Sequence, residues 1–304
     1  MIATTLLLAC TGDAPIEART ASGEAVPGMV EVPGGRVKLG MPQPPGAPPG
    51  PPPGHSPGQA GGAANPAVAN GAMPLPLPER EVEVSSFLVD VTEVTRVDYA
   101  AFLEGTGYRP PYVAEAWADE GWNWTGRTYP EGTGDHPVVL VNWYDARAYC
   151  HWAGKRLPTG AEWQLAALGP AAEGRAWPWG TTYERGRLNH GKNDVPNFDD
   201  SDGYERTSPV GAFPAGASPY GLQDAFGNAW EWVADIRVSD WADTTAGAGE
   251  GLASNPRTGT LGLYAGARGG SYFSGFEGGA LAQDNAFPVQ LRRKSSGFRC
   301  ARDL

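Results

Sequence analysis

The stretch Gly227–Trp232 has the sequence "GNAWEW", in which two tryptophans flank a single acidic residue. Large aromatic side chains are among the main contributors to protein cores, so Trp230 and Trp232 are interpreted as packing residues rather than as a recognition surface. Gly227 is interpreted as a position where the backbone conformation requires glycine. The stretch therefore indicates a scaffold element, and its meaning depends on the sequence on either side.

The composition predicts a soluble globular protein that is rich in loops. The chain has 304 residues with 43 Gly, 29 Pro and 11 Trp, which favours turns over regular helix or strand. Its formal net charge of −11 argues against binding to nucleic acids, because that affinity comes from clustered Lys and Arg. No uninterrupted apolar run approaches the roughly 18 to 20 residues of a membrane-spanning helix.

The N-terminus, "MIATTLLLACTGD", resembles a bacterial lipoprotein leader in which Cys10 is acylated and anchors the protein to a membrane. The segment departs from that pattern because it is short and has no Lys or Arg before Cys10. The alternative is a disordered N-terminus with an unremarkable cysteine. On the first interpretation residues 1–28 are a leader and tether, and the protein belongs to the bacterial cell envelope, exported or lipid-anchored.

A segment without Asp, Glu, Lys or Arg, Met41–Pro78, separates two strand-like stretches. Its Pro and Gly content predicts a flexible or polyproline-like chain. It could be a ligand for a proline-recognising partner, but a tolerated loop insertion is favoured because long loops cost little closure entropy. Strand alternation resumes at once in Glu79–Asp90, so the insert at 41–78 interrupts one domain, 29–304.

Three helices are predicted from their starts. Thr95, Asn142 and Thr159 are the N-terminal residues of these helices, and Gly105, Gly154 and Gly169 are their expected ends. In the second helix, helical spacing predicts a core face that consists of Tyr144, Ala148 and Trp152. The remaining Trp-rich positions are interpreted as packing: Trp163, Trp177 and Trp179.

Six blocks in order resemble the formylglycine-generating enzyme family, also called sulfatase-modifying factors. They are "FLVDVTEVTRVDYAAFL", "HPVVLVNWYDARAYCHWAGKRLPTGAEWQLAALG", "PWG", "PVGAFPAGASPYGLQDAFGNAWEWVAD", "ARGGSY" and "GFRCA". They cover the chain from Met29 to Ala301 apart from the insert. The resemblance implies a single-domain, C-type-lectin-like α+β fold with short strands and few helices.

The cysteine count is three, so an exported protein would have one cysteine left over. If Cys10 carries lipid, Cys150 and Cys300 are the remaining pair, and the resemblance implies that they form a disulfide. Two separate buried thiols are the alternative for a protein that stays in the cytosol.

The resemblance also implies two structural calcium sites. The first would take side-chain oxygens from Asn189 and Asp202 and backbone carbonyls from His190 and Tyr204. The second would take side chains from Asn228 and Glu231, with backbone oxygens at Phe226 and Gly227. From composition alone, the first region, Asn189–Glu205, would be no more than a solvated acidic loop, and it does not have the spacing of an EF-hand.

The catalytic positions of the family are occupied differently in this chain. Active members of the family carry two cysteines that hold copper(I), and the aligned positions here are Ser274 and Gly279. Neither residue can supply a thiolate, so copper binding is not expected. The four histidines, His55, His136, His151 and His190, lack zinc or iron spacing and are interpreted as structural.

Three functions compete on these grounds. The favoured one is a non-catalytic binding or assembly module of the envelope whose groove holds a peptide, a glycan or a protein partner. The second is a family enzyme that uses another site or cofactor to oxidise a protein or small molecule. The third is a purely structural envelope component. A Cys/His/carboxylate cluster in the groove would favour the second function, and the sequence contains no such cluster.

Overall fold

The computed structural model describes most of the predicted domain. The residues it describes are 18–19, 25–39, 80–191, 200–238, 263–275 and 284–304. Cys10, the whole insert at 41–78, and Gly279 lie outside these ranges, as do three members of the acidic loop, Asp194, Asn197 and Asp199.

Helices and short strands are intermixed in the described residues. The helices are α1 (Arg96–Thr106), α2 (Trp143–Trp152) and α3 (Gly160–Leu168). The strands are β1 (Ala18–Arg19), β2 (Ala25–Val26), β3 (Met29–Val32), β4 (Gly35–Leu39), β5 (Arg80–Val84), β6 (Phe87–Asp90), β7 (Trp230–Val238), β8 (Leu263–Arg268), β9 (Asp284–Pro288), β10 (Ser296–Gly297) and β11 (Ala301–Asp303). Short 3-10 turns connect several of them. The fold is α+β, as predicted.

The strands pair mainly in an antiparallel sense. The largest sheet has the order β10-β7-β8-β9, a second has the order β11-β6-β3, and β4 pairs with β5. The β1-β2 pair lies in the segment predicted to be a tether. No helix in the described part of the chain has the length and hydropathy needed to cross a bilayer.

Each helix begins where the sequence predicts, because each start is a complete capping box. Thr95, Asn142 and Thr159 accept hydrogen bonds from the backbone three residues on, and the acidic side chain there bonds back. The predicted end of α1 is wrong by two residues. Gly105 lies inside the helix beneath Trp152, and the left-handed C-cap is Gly107 with φ 71°.

The predicted core face of α2 is also wrong. Tyr144 and Trp152 are 39% and 43% exposed, and Ala148 is only half-buried. The buried face instead contains Trp143, Asp145, Ala146, Tyr149 and Cys150. Apolar residues of α2 occur on more than one side of the helix. The sequence therefore contains two apolar stripes at helical spacing, and the spacing alone does not show which of them is buried.

The described residues that flank the insert, Leu39 and Arg80, lie together. Strands β4 and β5 form an antiparallel pair in which Leu39 lies opposite Arg80. The chain therefore leaves for the insert and returns from it at the end of one hairpin. Because β4 and β5 also pack against α3, this hairpin is part of the main fold.

The core centres on buried tryptophans and one disulfide. The indole nitrogens of Trp143 and Trp232 donate to backbone carbonyls of the opposite segment, at Val233 and Val141, with distances of 2.8 and 3.0 Å. Cys150 of α2 and Cys300 next to β11 are joined, with their Cα atoms 5.6 Å apart. This confirms the predicted disulfide. It also ties the C-terminal strand to α2 across 150 positions of sequence.

Candidate functional site

The loop after β8 packs directly on the "GNAWEW" segment. Gly269 has φ 91°, and a Cβ there would lie 2.6 Å from the carbonyl oxygen of Ala225, so only glycine fits. Three residues later the backbone nitrogen of Tyr272 donates to the Asn228 carbonyl at 2.9 Å. The loop is therefore held as a fixed surface on the scaffold.

Ser274, the predicted remnant of the first copper-binding position, lies in a closed turn of this loop. Its hydroxyl oxygen accepts a hydrogen bond from the backbone nitrogen of Ser271 at 3.0 Å, and its own nitrogen donates to the Ser271 carbonyl at 2.8 Å. The residue is 6% exposed. The backbone nitrogen of Gly191 donates to its carbonyl at 3.1 Å and links the turn to the Asn189 segment.

Aromatic rings and two positive charges lie beside Ser274 on a surface that we call the Trp122 face. It consists of Trp117, Trp122, Tyr272, Phe273, Arg206 and Lys294. The Trp122 and Tyr272 rings are stacked with centroids 6.0 Å apart. The Arg206 guanidinium lies 4.9 Å from the Trp122 ring centroid. The sequence interpretation did not single out this face, because its members come from four separated segments.

The first predicted calcium site has the side chains of Asn189 and Asp202 at one turn. Asp202 accepts hydrogen bonds from the backbone nitrogens of His190 and Tyr204, at 2.7 and 2.9 Å. The amide nitrogen of Asn189 donates to the Arg206 carbonyl, whereas its amide oxygen is buried and has no hydrogen-bond partner. A buried amide oxygen beside a carboxylate fits a calcium ion, which prefers oxygen ligands.

The side chains of the second predicted site, Asn228 and Glu231, lie in a network of buried hydrogen bonds. The amide oxygen of Asn228 accepts from the Ser208 nitrogen at 2.9 Å, and its amide nitrogen donates to Glu93 at 3.1 Å. Both Glu231 oxygens accept hydrogen bonds from Arg299, and one also accepts from the Trp163 indole. The Asn228 amide oxygen has a second lone pair besides the one that accepts from Ser208, so calcium binding at this site stays a prediction.

Comparison with known proteins identifies the family. The model of the family described as "Sulfatase-modifying factor enzyme 1-like domain" matches residues 16–304. A formylglycine-generating enzyme of Thermomonospora curvata is 33% identical, with 94% of this chain and 96% of the relative covered. The chain belongs to the sulfatase-modifying factor family.

Other relatives within the sulfatase-modifying factor family differ in their named activities. The "Inactive C-alpha-formylglycine-generating enzyme 2" of Bos taurus is 33% identical over 72% of this chain and 78% of its own length. A hercynine oxygenase of Mycolicibacterium smegmatis is 32% identical, but over only 51% of this chain and 39% of its own. The solved structure of PvdO from Pseudomonas aeruginosa has a TM-score of 0.62 at 22% identity and covers 91% of this chain and 94% of its own, which shows a shared fold.

A buried acidic group in this sulfatase-modifying factor was missed by the sequence interpretation. Glu93 and Asp224 lie with Glu231 around one cation, Arg299, and all four side chains are buried. Burial raises the pKa of Asp224 to about 6. Burial, with the charges of Asp224 and Glu231, raises the pKa of Glu93 well above its usual value.

This acidic group contains more carboxylates than positively charged side chains. Three carboxylates outnumber the single guanidinium, and the raised pKa values of Glu93 and Asp224 favour bound protons that offset part of the excess negative charge. In the described part of the chain, however, no three His, Cys, Asp or Glu side chains are arranged to hold a metal ion together. Glu93 lies in "VTEVTR" and Asp224 in "LQDAF", where no short local motif signals a site.

Two histidines of the family domain contact neighbouring side chains. Nδ1 of His136 lies 3.1 Å from the Thr207 hydroxyl, and Nε2 of His190 accepts from Arg185 at 3.3 Å. Burial lowers the pKa of both imidazoles, and the neighbouring charges of Arg96 and Arg185 lower them further. His151 is exposed on α2, and His55 lies outside the described residues.

Proposed function

We propose that this protein is a sulfatase-modifying factor that lacks formylglycine-generating oxidase activity and binds a ligand at the surface around Ser274. The observation that supports the proposal is the identity and setting of Ser274, where a serine hydroxyl takes part in a closed turn. Similarity alone does not decide the activity, because a relative named as active and one named as inactive are both 33% identical to this chain.

The chemistry of the side chains argues against copper at this position. A soft copper(I) ion is held by thiolates, and a serine hydroxyl keeps its proton near neutral pH. Cys150 and Cys300 are joined in a disulfide within the core, so neither offers a thiolate. Cys10 precedes the domain, and Gly279 has no side chain.

A binding role for the same surface has support in its composition. The Trp122 face lies next to Ser274. Its Trp117 and Phe273 rings are half-buried, its Trp122 and Tyr272 rings are buried, and it also carries positive charge. Aromatic and arginine side chains are over-represented at sites of recognition. The ligand that we propose is a peptide, a glycan or a protein of the cell envelope.

Calcium is proposed as a structural ion of the domain. The unpartnered amide oxygen of Asn189 and the carboxylate of Asp202 would hold it at the first site, with backbone oxygens of His190 and Tyr204. When bound, calcium would fix the Asn189 turn. That turn supports the Ser274 carbonyl through Gly191, so the ion would order the proposed binding surface.

Attachment to a membrane of the bacterial envelope is proposed through a lipid on Cys10. Metabolic labelling with a fatty-acid probe is expected to mark the wild-type protein and not Cys10→Ser. Cys300→Ser serves as the control for loss of a cysteine in the domain and is expected to keep the label. Equal labelling of the wild type and Cys10→Ser would overturn this part of the proposal.

The oxidase proposal is tested with a cysteine-containing peptide of the sulfatase type. Incubated with the protein, copper and oxygen, the peptide is expected to keep its cysteine, as read by mass spectrometry, while an active family member converts it. Formylglycine formed by the wild-type protein would refute the proposal. Oxygen consumption with the peptide unchanged would instead favour the alternative, an enzyme that acts on another substrate.

A further inference from the structure

Two positive charges of the Trp122 face lie against the same indole ring. The Arg206 guanidinium is 4.9 Å and the Lys294 ammonium 5.9 Å from the Trp122 centroid. The ammonium is also 5.8 Å from the Trp117 ring and 6.0 Å from the Phe273 ring. Ring faces attract cations, so the aromatic side chains hold Lys294 in place.

Neither cation has a carboxylate partner among the residues that the structure describes. Within the described residues, the Lys294 ammonium lies against aromatic rings, and Arg206 donates to a backbone carbonyl, that of Glu120, at 2.9 Å. Acidic side chains do occur close by in the chain, at Asp119 and Glu120, but within the described ranges they form no ion pair with these cations. In a chain with a net charge of −11, two cations against one ring that form no ion pair with the described residues are unexpected.

Both cations are half-buried and lie against the Trp122 ring, so a carboxylate bound at this face would be attracted by each of them. We propose that the Trp122 face binds a peptide segment that carries carboxylates next to an apolar side chain. The carboxylate contacts Lys294 and Arg206, and the apolar side chain contacts the rim of the face. This inference rests on the proposed binding function and names the class of its ligand.

The rim of the face favours a peptide over an acidic glycan. Val113, Trp117 and Phe273 are half-buried and pack at the edge of the cluster, where they offer contacts to an apolar side chain. A sugar ring would need a flat aromatic surface free of other groups, whereas the Trp117, Trp122 and Phe273 rings already contact Lys294. Charge and an apolar rim together match an acidic peptide.

Fluorescence anisotropy with the full chain tests the inference. The probes are a labelled peptide that alternates Asp and Glu with Phe, its Asn and Gln counterpart, and an oligogalacturonate. The acidic peptide is expected to bind at least about tenfold more tightly than the amide peptide, because hydrogen bonds to charged groups are the stronger ones. Its affinity is expected to fall as salt is added.

Variants separate this inference from the broader proposal. Lys294→Gln is expected to weaken binding of the acidic peptide about tenfold and Lys294→Arg to restore it. Arg147→Gln is the matched control, since Arg147 is an exposed cation 5.6 Å from the Trp143 ring, a cation–ring contact outside the Trp122 face. It removes the same charge and is expected to leave affinity unchanged.

Several results would overturn the inference. They are equal affinity for the acidic and amide peptides, equal loss in Lys294→Gln and Arg147→Gln, or a preference for the oligogalacturonate. If Phe273→Ala weakens binding while Lys294→Gln does not, the face binds its ligand through apolar contacts and does not depend on the charge of the ligand. The broader proposal would then stand and the acidic-peptide inference would fail, whereas formylglycine formation would remove the proposal itself.

Discussion

Arg299 donates to both carboxylate oxygens of Glu231, at 2.6 and 2.7 Å, and both side chains are fully shielded from solvent. The same guanidinium donates to the backbone carbonyls of Val91 and Gln223. A single side chain thus links the C-terminal segment, β7 and the loop after β6. Such a pair is costly to break, because the remaining charge stays buried without a partner.

Arg299→Met is expected to destabilise the protein by about 3 to 5 kcal/mol in urea unfolding. Arg299→Lys is expected to recover only part of this loss, because an ammonium cannot make the two parallel bonds. Arg175→Met is the control. It breaks a partly exposed pair with Glu173, so a loss of at most about 1 kcal/mol is expected. Equal losses in Arg299→Met and Arg175→Met would contradict this interpretation of the buried pair.

His136 is expected to make stability depend on pH. Burial and the charge of Arg96 lower the pKa of its imidazole in the folded state below the ordinary value of 6.5. The unfolded state then binds the proton more tightly, so the stabilising contribution is present above pH 6.5 and is lost as pH falls through the folded pKa. The free energy of unfolding of His136→Gln is expected to fall less over this range than that of the wild type.

The exposed His151 provides the comparison for that measurement. His151→Gln also removes an imidazole from the domain but is expected to keep the pH dependence of the wild type, because the residue lies on the outer surface of α2. Parallel pH curves for the wild type and His136→Gln would show that His136 is not responsible.

Calcium is expected to raise the melting temperature of chelator-stripped protein, because an ion that binds only the folded state stabilises it by mass action. Asn189→Ala and Asp202→Ala are each expected to reduce the shift, since they remove the two side-chain oxygens of the first site. Glu231→Gln is also expected to reduce the shift, since Glu231 is a side-chain ligand of the second predicted site.

Asp119→Ala is the matched control for calcium, because Asp119 is an exposed carboxylate outside both sites. Its melting temperature should respond to calcium as that of the wild type does. The absence of any calcium-dependent shift in wild-type protein would count against both sites.

Removal of the disulfide is expected to lower the free energy of unfolding by about 4 to 5 kcal/mol, since the bond closes a very long loop in the unfolded chain. The variant is Cys150→Ala with Cys300→Ala, measured in urea. Cys10→Ala, which removes the third cysteine, is expected to leave stability unchanged. Non-reducing digestion is expected to yield the linked peptides around Cys150 and Cys300, and free thiols at both positions would refute the pairing.

Local chemistry explains what could be predicted from the sequence. The three helix starts were correct because a capping box is complete within four residues of chain. The end of α1 was misplaced because Gly105 is accommodated under Trp152, a tertiary contact between two helices. The stripe with Tyr144 and Trp152 was wrong because the choice between two apolar faces depends on neighbours that the spacing does not reveal.

The site residues likewise include some that the sequence predicted and some that only the structure shows. The resemblance placed Asn189, Asp202 and Ser274 in segments that the structure does bring together. Two clusters were not predicted from the sequence: the acidic group around Arg299, and the Trp122 face. The members of each cluster come from distant segments of the chain. Glu231 and Arg299, for example, are 68 positions apart. No periodic pattern in the sequence records such pairs, which exist only once the sheets and loops have packed.

The pairing of Leu39 with Arg80 has a consequence for how this domain can change. Because the two ends are fixed side by side by the hairpin, the length of chain between them has little influence on stability. Doubling a flexible closed loop costs only about 0.6 kcal/mol. The hairpin end is therefore a position where residues can be gained or lost, and where an engineered epitope, fluorophore or second protein can be inserted at a small cost in stability.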